Sequence, residues 1–336
     1  MKFLIPPLSL LLLTACVGVL PEPEADLNTF GVDSLPDEYS QRTFDQFSAS
    51  DWLGSFKSAD LNFLVEKAIK SNRTLAQEAA AVRLAEQNVR LSDSTLWPNL
   101  GLSLSTQRGD TGMGSATQSG LSLTAGYEVD LWGRLNAVQQ QSQIDLARQK
   151  ASYREAERTL VRDVVNAGFD ASSATQLLGL LNQRFTNLTE SLDVIERGYR
   201  SGLNDALDVY LSRNTLELER AGIANQQQIH FESLTRLELL LGDYPAAKLA
   251  VSANLQSLHL DPIAAGIPAN LLSRRSDIQQ AWLELLSADA GVAIAHRNRF
   301  PALNLSGSLS DSSQELDELL DGGSLMWRVA ASLIQP

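Results

Sequence analysis

A single cysteine, Cys16, excludes any disulfide within the 336-residue chain. Only three histidines are present (His230, His259 and His296), and none stands at metal-ligand spacing from cysteine or aspartate. Basic residues are outnumbered: the formal net charge is −13, and the lysines and arginines are scattered among acidic neighbours. A phosphate backbone needs concentrated positive charge, so nucleic acid is not a partner. No apolar run of transmembrane-helix length follows the N-terminus. No set of residues resembles a catalytic constellation, so the chain does not read as an enzyme. Gly109 to Gly114 loosely suggests a phosphate loop, but no helix pattern follows it. Proline is missing altogether from Gly133 to Gly242, so nothing there forces a helix to break.

What that stretch holds instead is apolar residues at heptad-like steps: Leu177, Leu181, Leu188, Leu192, Ile195 and Tyr199. The descending arm spans about 67 residues, or roughly 100 Å of helix. A turn follows at Tyr199-Arg200-Ser201-Gly202-Leu203, with Gly202 as the helix C-cap. The return helix is expected through Leu207, Tyr210, Leu218, Ala221, Leu234, Leu237 and Leu241, ending at Gly242. The remaining faces are rich in Gln, Asn, Arg, Glu and Ser. Helices so long and only half apolar pack side by side in bundles or tubes.

The N-terminus reads as a leader. Lys2 precedes an apolar run from Phe3 to Leu13, and Leu13-Thr14-Ala15-Cys16 fits a lipoprotein cleavage site with lipid on Cys16. Residues 16–57 read as an extended arm, rich in Pro, Asp, Glu and Ser with isolated aromatics. Asp60 is the expected cap of a helix running to about Asp93.

At Trp97-Pro98 the period changes from helical to two. Leu100, Leu102 and Leu104 alternate with Gly101, Ser103 and Ser105. After a polar loop over 107–120, Leu121, Leu123, Ala125, Tyr127 and Val129 alternate with Ser122, Thr124, Gly126 and Glu128. The hairpin 99–130 thus has one apolar and one small or polar face, as in a membrane barrel with a wet lumen. Trp97 and Trp132 stand at the same strand end, where aromatics form interfacial girdles. Glu128 and Asp130 line the lumen or bond at the strand end. Trp132-Gly133-Arg134 opens the long helix.

The pattern then recurs. Beyond a linker over 243–270, a helix from about Asp277 to Arg297 leads into Phe300-Pro301 and the strand Ala302 to Ser310. Phe300-Pro301 matches Trp97-Pro98 at an offset of 203. A loop from Asp311 to Ser324 and a last strand from Met326 to Ile334 complete the hairpin 302–334. Residues 58–242 and 271–336 are therefore two copies of a unit of roughly 200 residues, the second without a long helical hairpin.

These motifs together resemble the TolC-like outer-membrane efflux family, in its lipid-anchored subgroup that works with resistance-nodulation-division pumps. The resemblance rests on the lipobox at Cys16, Trp97-Pro98, Tyr127 to Arg134, Arg200 to Val209, Leu271 to Ile278 and Phe300-Pro301. Ser276 departs from it, standing where the family has proline. The resemblance implies a mainly α fold with a four-stranded antiparallel β membrane segment, a long periplasmic helical hairpin, and a barrel completed by trimerisation. It implies a passive duct for drugs or other small molecules, partnered by a periplasmic adaptor and an inner-membrane pump. It assigns adaptor contact to Arg197, Gly198, Tyr199, Arg200, Ser201, Gly202, Leu203 and Asp208. No cofactor is expected beyond the lipid on Cys16. Two alternatives stand beside this: a periplasmic coiled-coil adaptor lipoprotein, and a truncated fragment that neither assembles nor conducts.

Overall fold

The computed structural model describes residues 58–251 apart from 111 and 113, and 275–335 apart from 316 and 318–323. Cys16, the leader, the arm 16–57 and the linker beyond 251 lie outside the described residues. The chain is mainly helical, with one four-stranded antiparallel sheet. The order is α1 (Ala59–Ser71), α2 (Arg73–Ser94), β1 (Asn99–Asp110), β2 (Ser115–Val129), α3 (Arg134–Arg200), α4 (Ala206–Leu240), α5 (Ser276–Arg297), β3 (Ala302–Ser313) and β4 (Met326–Ile334).

Two compact units share these elements. The described residues of one fall within 58–81 and 151–278, and those of the other within 82–150 and 279–335.

In the first unit, the core gathers Leu64, Val65 and Ala68 of α1, Leu75 of α2, Leu160 and Val164 of α3, and Leu234, Leu237 and Leu241 at the end of α4. The single helix expected over 60–93 is two helices. Asn72 adopts an extended conformation, accepts from the Leu75 N–H at 2.9 Å and donates to the Leu240 carbonyl at 2.9 Å. A side chain able to cap a new helix and bond a distant carbonyl makes the break favourable. The first cap is Ser58, whose Oγ accepts from Leu61 N at 3.3 Å, rather than Asp60. Gly242 ends α4 with φ +73, and a Cβ there would collide with the Ser71 carbonyl.

The helical hairpin of this unit is a coiled pair. On α3 the inward positions are Ala171, Ala174, Leu178, Leu181, Phe185, Leu188, Leu192 and Ile195, at alternating steps of three and four. Leu177 and Tyr199, expected on this seam, are exposed. On α4 the inward positions are Val209, Ser212, Leu216, Glu219, Ile223, Gln226, His230, Ser233 and Leu237. Leu207, Tyr210 and Leu218 are 64%, 68% and 65% exposed. Cross-links fix the pairing: Gln226 donates to the Ala174 carbonyl at 3.2 Å, and His230 Nε2 lies 3.1 Å from Thr175 Oγ1.

The second unit carries the sheet, in order β1-β2-β3-β4, all antiparallel. β1, β2 and β3 run longer than expected, and the first hairpin connection shrinks to 111–114. Helical segments of this unit pack through Ala137, Ile144, Leu283, Leu286 and Ala290. Gln141 donates to the Ser287 carbonyl at 3.1 Å, and Ser287 Oγ donates to Asp145 at 2.9 Å.

Candidate functional site: a two-faced wall, its helix junction and a capped hairpin tip

Register decides which side chains share a face. Leu102 pairs with Leu123, Leu123 with Leu309, and Leu309 with Trp327. Leu100, Ala125, Gly307 and Val329 form the next row, and Tyr127 pairs with Leu305. One face is therefore apolar from Leu104 and Leu121 to Val129 and Leu303. Along β2 this band covers roughly 27 Å before tilt, the right order for a bilayer core. The other face carries Ser103 against Ser122, Thr124 against Ser308, and Gly126 against Ser306. The Ser103 and Ser122 hydroxyls are 2.8 Å apart.

The apolar face is bare. Leu100 and Leu102 are each 74% exposed and Trp327 is 77% exposed. β1 and β4 are the sheet edges, and neither has a second strand partner among the described residues. Open edges and an uncovered apolar face are not tolerated together in water or in lipid.

The strand-to-helix crossings interlock. Trp132 Nε1 donates to the Pro301 carbonyl at 2.8 Å, and its ring stacks on Phe300 with centroids 5.0 Å apart. Arg134 clasps Glu128 with contacts at 2.7 Å to both carboxylate oxygens. Asp130 accepts from the backbone N–H groups of Leu135 and Asn136, each at 3.0 Å, and so caps α3. Arg297 donates to the Gly133 carbonyl at 2.8 Å. Thus Trp132, Gly133, Arg134, Phe300 and Pro301 come together as one junction, with Glu128 and Asp130 bonding at the strand end. Trp97 and Pro98 do not join it: Trp97 stands 74% exposed beside the edge strand. Arg297 was not singled out from sequence. Its only signal was its place three residues before Phe300.

At the C-terminal end of α3 the tip is closed by cap hydrogen bonds. Leu203 N donates to the Gly198 carbonyl at 2.9 Å and Gly202 N to that of Tyr199 at 3.0 Å, with Gly202 at φ +73. Asp208 accepts from the Asp205 N–H at 3.2 Å, closing the start of α4. Arg213 of α4 bonds Glu196 of α3 at 2.7 Å, and this contact holds the Arg213 guanidinium above its ordinary pKa. Arg197 pairs with Asp193 and Arg200 with Glu196. Leu203, 82% exposed, and Tyr199, 49% exposed, crown the tip.

This combination defines a class: a wall that needs other strands to close, joined through a locked crossing to a long helix. The chain belongs to the outer membrane efflux protein family, whose model matches residues 64–243 and 267–336. It is similar to the cation efflux system protein CusC of Escherichia coli, at 27% identity over 286 residues, covering 84% of this chain and 62% of that protein. It is also similar to the solvent efflux pump outer membrane protein SrpC of Pseudomonas putida, at 30% identity over 291 residues, with 84% and 62% covered. The chain spans less than two thirds of the length of these relatives. Among solved structures, a membrane protein from Pseudomonas aeruginosa matches with TM-score 0.75 and 27% identity, over 88% of this chain and 73% of that one. The CmeC outer membrane channel of Campylobacter jejuni shares the fold, with TM-score 0.78 at 22% identity, over 89% and 66%.

Proposed function

We propose that this chain serves as an outer-membrane channel subunit of a tripartite efflux system, passing drugs or other small molecules passively from periplasm to exterior. The observation that carries the reading is the wall itself: four strands, two open edges, one bare apolar face and one hydroxyl-lined face. Three copies would close a twelve-stranded barrel. An even number of antiparallel strands per copy lets β4 of one meet β1 of the next in antiparallel sense, so closure needs no exceptional pairing. The exposed stripe of Leu207, Leu211 and Leu218 on α4 would then meet neighbouring helices of the tube. The family relationship supports the same reading, as do the relatives named for efflux.

Within it, residues 1–15 act as a lipoprotein signal and Cys16 carries the lipid, followed by an arm over 16–57. The two repeats, 58–242 and 271–336, are joined by the linker 243–270. The tip from Arg197 to Asp208 meets the periplasmic adaptor, with Tyr199 and Leu203 as its apolar contacts. The subgroup's resistance-nodulation-division pump would supply the energy.

The test is the state of the full chain in outer membranes. The reading expects resistance to carbonate extraction and a cross-linked species of three times the chain mass. It also expects radiolabelled palmitate on the wild-type chain and none on Cys16→Ala. Release by high salt as a monomer would overturn it in favour of a periplasmic adaptor.

A further inference from the structure

Five charged residues lie within the four strands: Arg108, Asp110, Glu128, Asp311 and Arg328. Register sorts them. Arg108, Asp110 and Asp311 share the face of the leucines: Asp311 sits in the end row of the apolar band, paired with Leu121, and the other two lie beyond it. Only Glu128 and Arg328 share the hydroxyl-lined face. Glu128 is already held by both nitrogens of Arg134 that reach it. Arg328 forms no ion pair among the described residues and is exposed.

Its row across the sheet is Gly101, Thr124, Ser308 and Arg328. The other three side chains are small, so the guanidinium stands over open wall. The rows on either side, ending in Trp327 and Val329, belong to the bare apolar face. Arg328 therefore lies at the depth of the apolar band. The strand pleat turns it away from the face where a charge would be most costly.

We infer that Arg328 sets the charge preference of the duct wall, favouring solutes that carry a carboxylate, sulfonate or phosphate over cations. This rests on the trimeric-channel reading above. Three copies place three guanidinium groups in a ring on a wall whose other charge, Glu128, is already neutralised by Arg134. Rings of basic side chains select anions, and low-dielectric walls concentrate the field of a few charges.

The experiment labels Ser308→Cys in the full chain in outer membranes, with the parent chain and its Cys16 as the blank. Rates are compared for the anionic sulfonatoethyl and the cationic trimethylammonioethyl methanethiosulfonate. Directly paired residues have Cβ atoms about 5 Å apart, within the Debye length at 0.1 M salt. The anionic-to-cationic rate ratio should fall about threefold or more when Arg328→Gln is added, and return with Arg328→Lys. An unchanged ratio in Arg328→Gln overturns the assignment. A Val329→Cys control separates the two readings. It should react slowly with both reagents if its face meets lipid. If it reacts as fast as Ser308→Cys, the membrane wall itself is refuted, and the charge assignment with it.

Discussion

The two arms of the helical hairpin meet at the same spacing with different mixtures of residue. The seam of α3 is apolar throughout, from Ala171 to Ile195. That of α4 inserts Ser212, Glu219, Gln226, His230 and Ser233 between Val209, Leu216 and Leu237, while leucines 207, 211 and 218 point outward. The difference teaches that α4 serves two surfaces. Its inner contact tolerates polar side chains because they find partners on α3, as Gln226 and His230 do. Its outer stripe keeps the apolar residues for other neighbours.

Substitutions in the core and on both surfaces of α4 test this division. Leu237→Ala, at a site with 0% exposure in the core, should have the largest effect, about 3–4 kcal/mol of stability by urea unfolding followed by circular dichroism. Next is Glu238, 4% exposed, whose carboxylate accepts from the backbone N–H groups of Ala246, Ala247, Lys248 and Leu249 at 2.6 to 3.0 Å. This grip also holds Ala247 at φ 53, a strained conformation for alanine. Glu238→Gln should cost about 2 kcal/mol at neutral pH.

That second effect is pH-dependent, with a definite sign. Burial pushes the Glu238 carboxyl up, but the four N–H donors outweigh it and hold it below the ordinary glutamate value. A depressed folded pKa contributes stability above the unfolded value of about 4.3, and loses it as pH falls through the folded value. The gap between wild type and Glu238→Gln should therefore be constant above about pH 5 and close on further acidification.

Gln226→Ala removes a buried donor and should cost about 1 kcal/mol, showing that the polar half of the seam contributes to the pairing. Leu218→Ser, on the outward stripe, should change the stability of the isolated chain by less than about 0.5 kcal/mol. A large loss there would place Leu218 inside the hairpin after all. The exposed pair Arg275 and Asp277 gives one more reading. Arg275 donates at 2.5 Å and holds the Asp277 carboxyl down at about 2. Arg275→Ala should raise that value toward the ordinary aspartate range by NMR titration, with little change in stability.

The two faces of the sheet were readable from the sequence, but the loop-side ends of β1, β2 and β3 were not. Alternation of Leu100 to Leu104 and Leu121 to Val129 fixed both faces, and β4 begins and ends at the expected Met326 and Ile334. The junction was half readable. Trp132, Phe300 and Pro301 stood out, yet their sharing of one contact depends on β2 pairing with β3, a link between distant residues.

Amino-acid order alone settled strand parity, the uninterrupted length of α3 and the glycine at its turn, because each follows from local sterics or from a two-residue period. Folding in three dimensions decided the rest. The inward face of α4 is chosen by the helix across from it, not by hydrophobicity. The break at Asn72 and the grip of Glu238 depend on backbone groups brought close only by packing. Where a partner 168 residues away supplies the hydrogen bond, as Leu240 does for Asn72, no local pattern could have announced it.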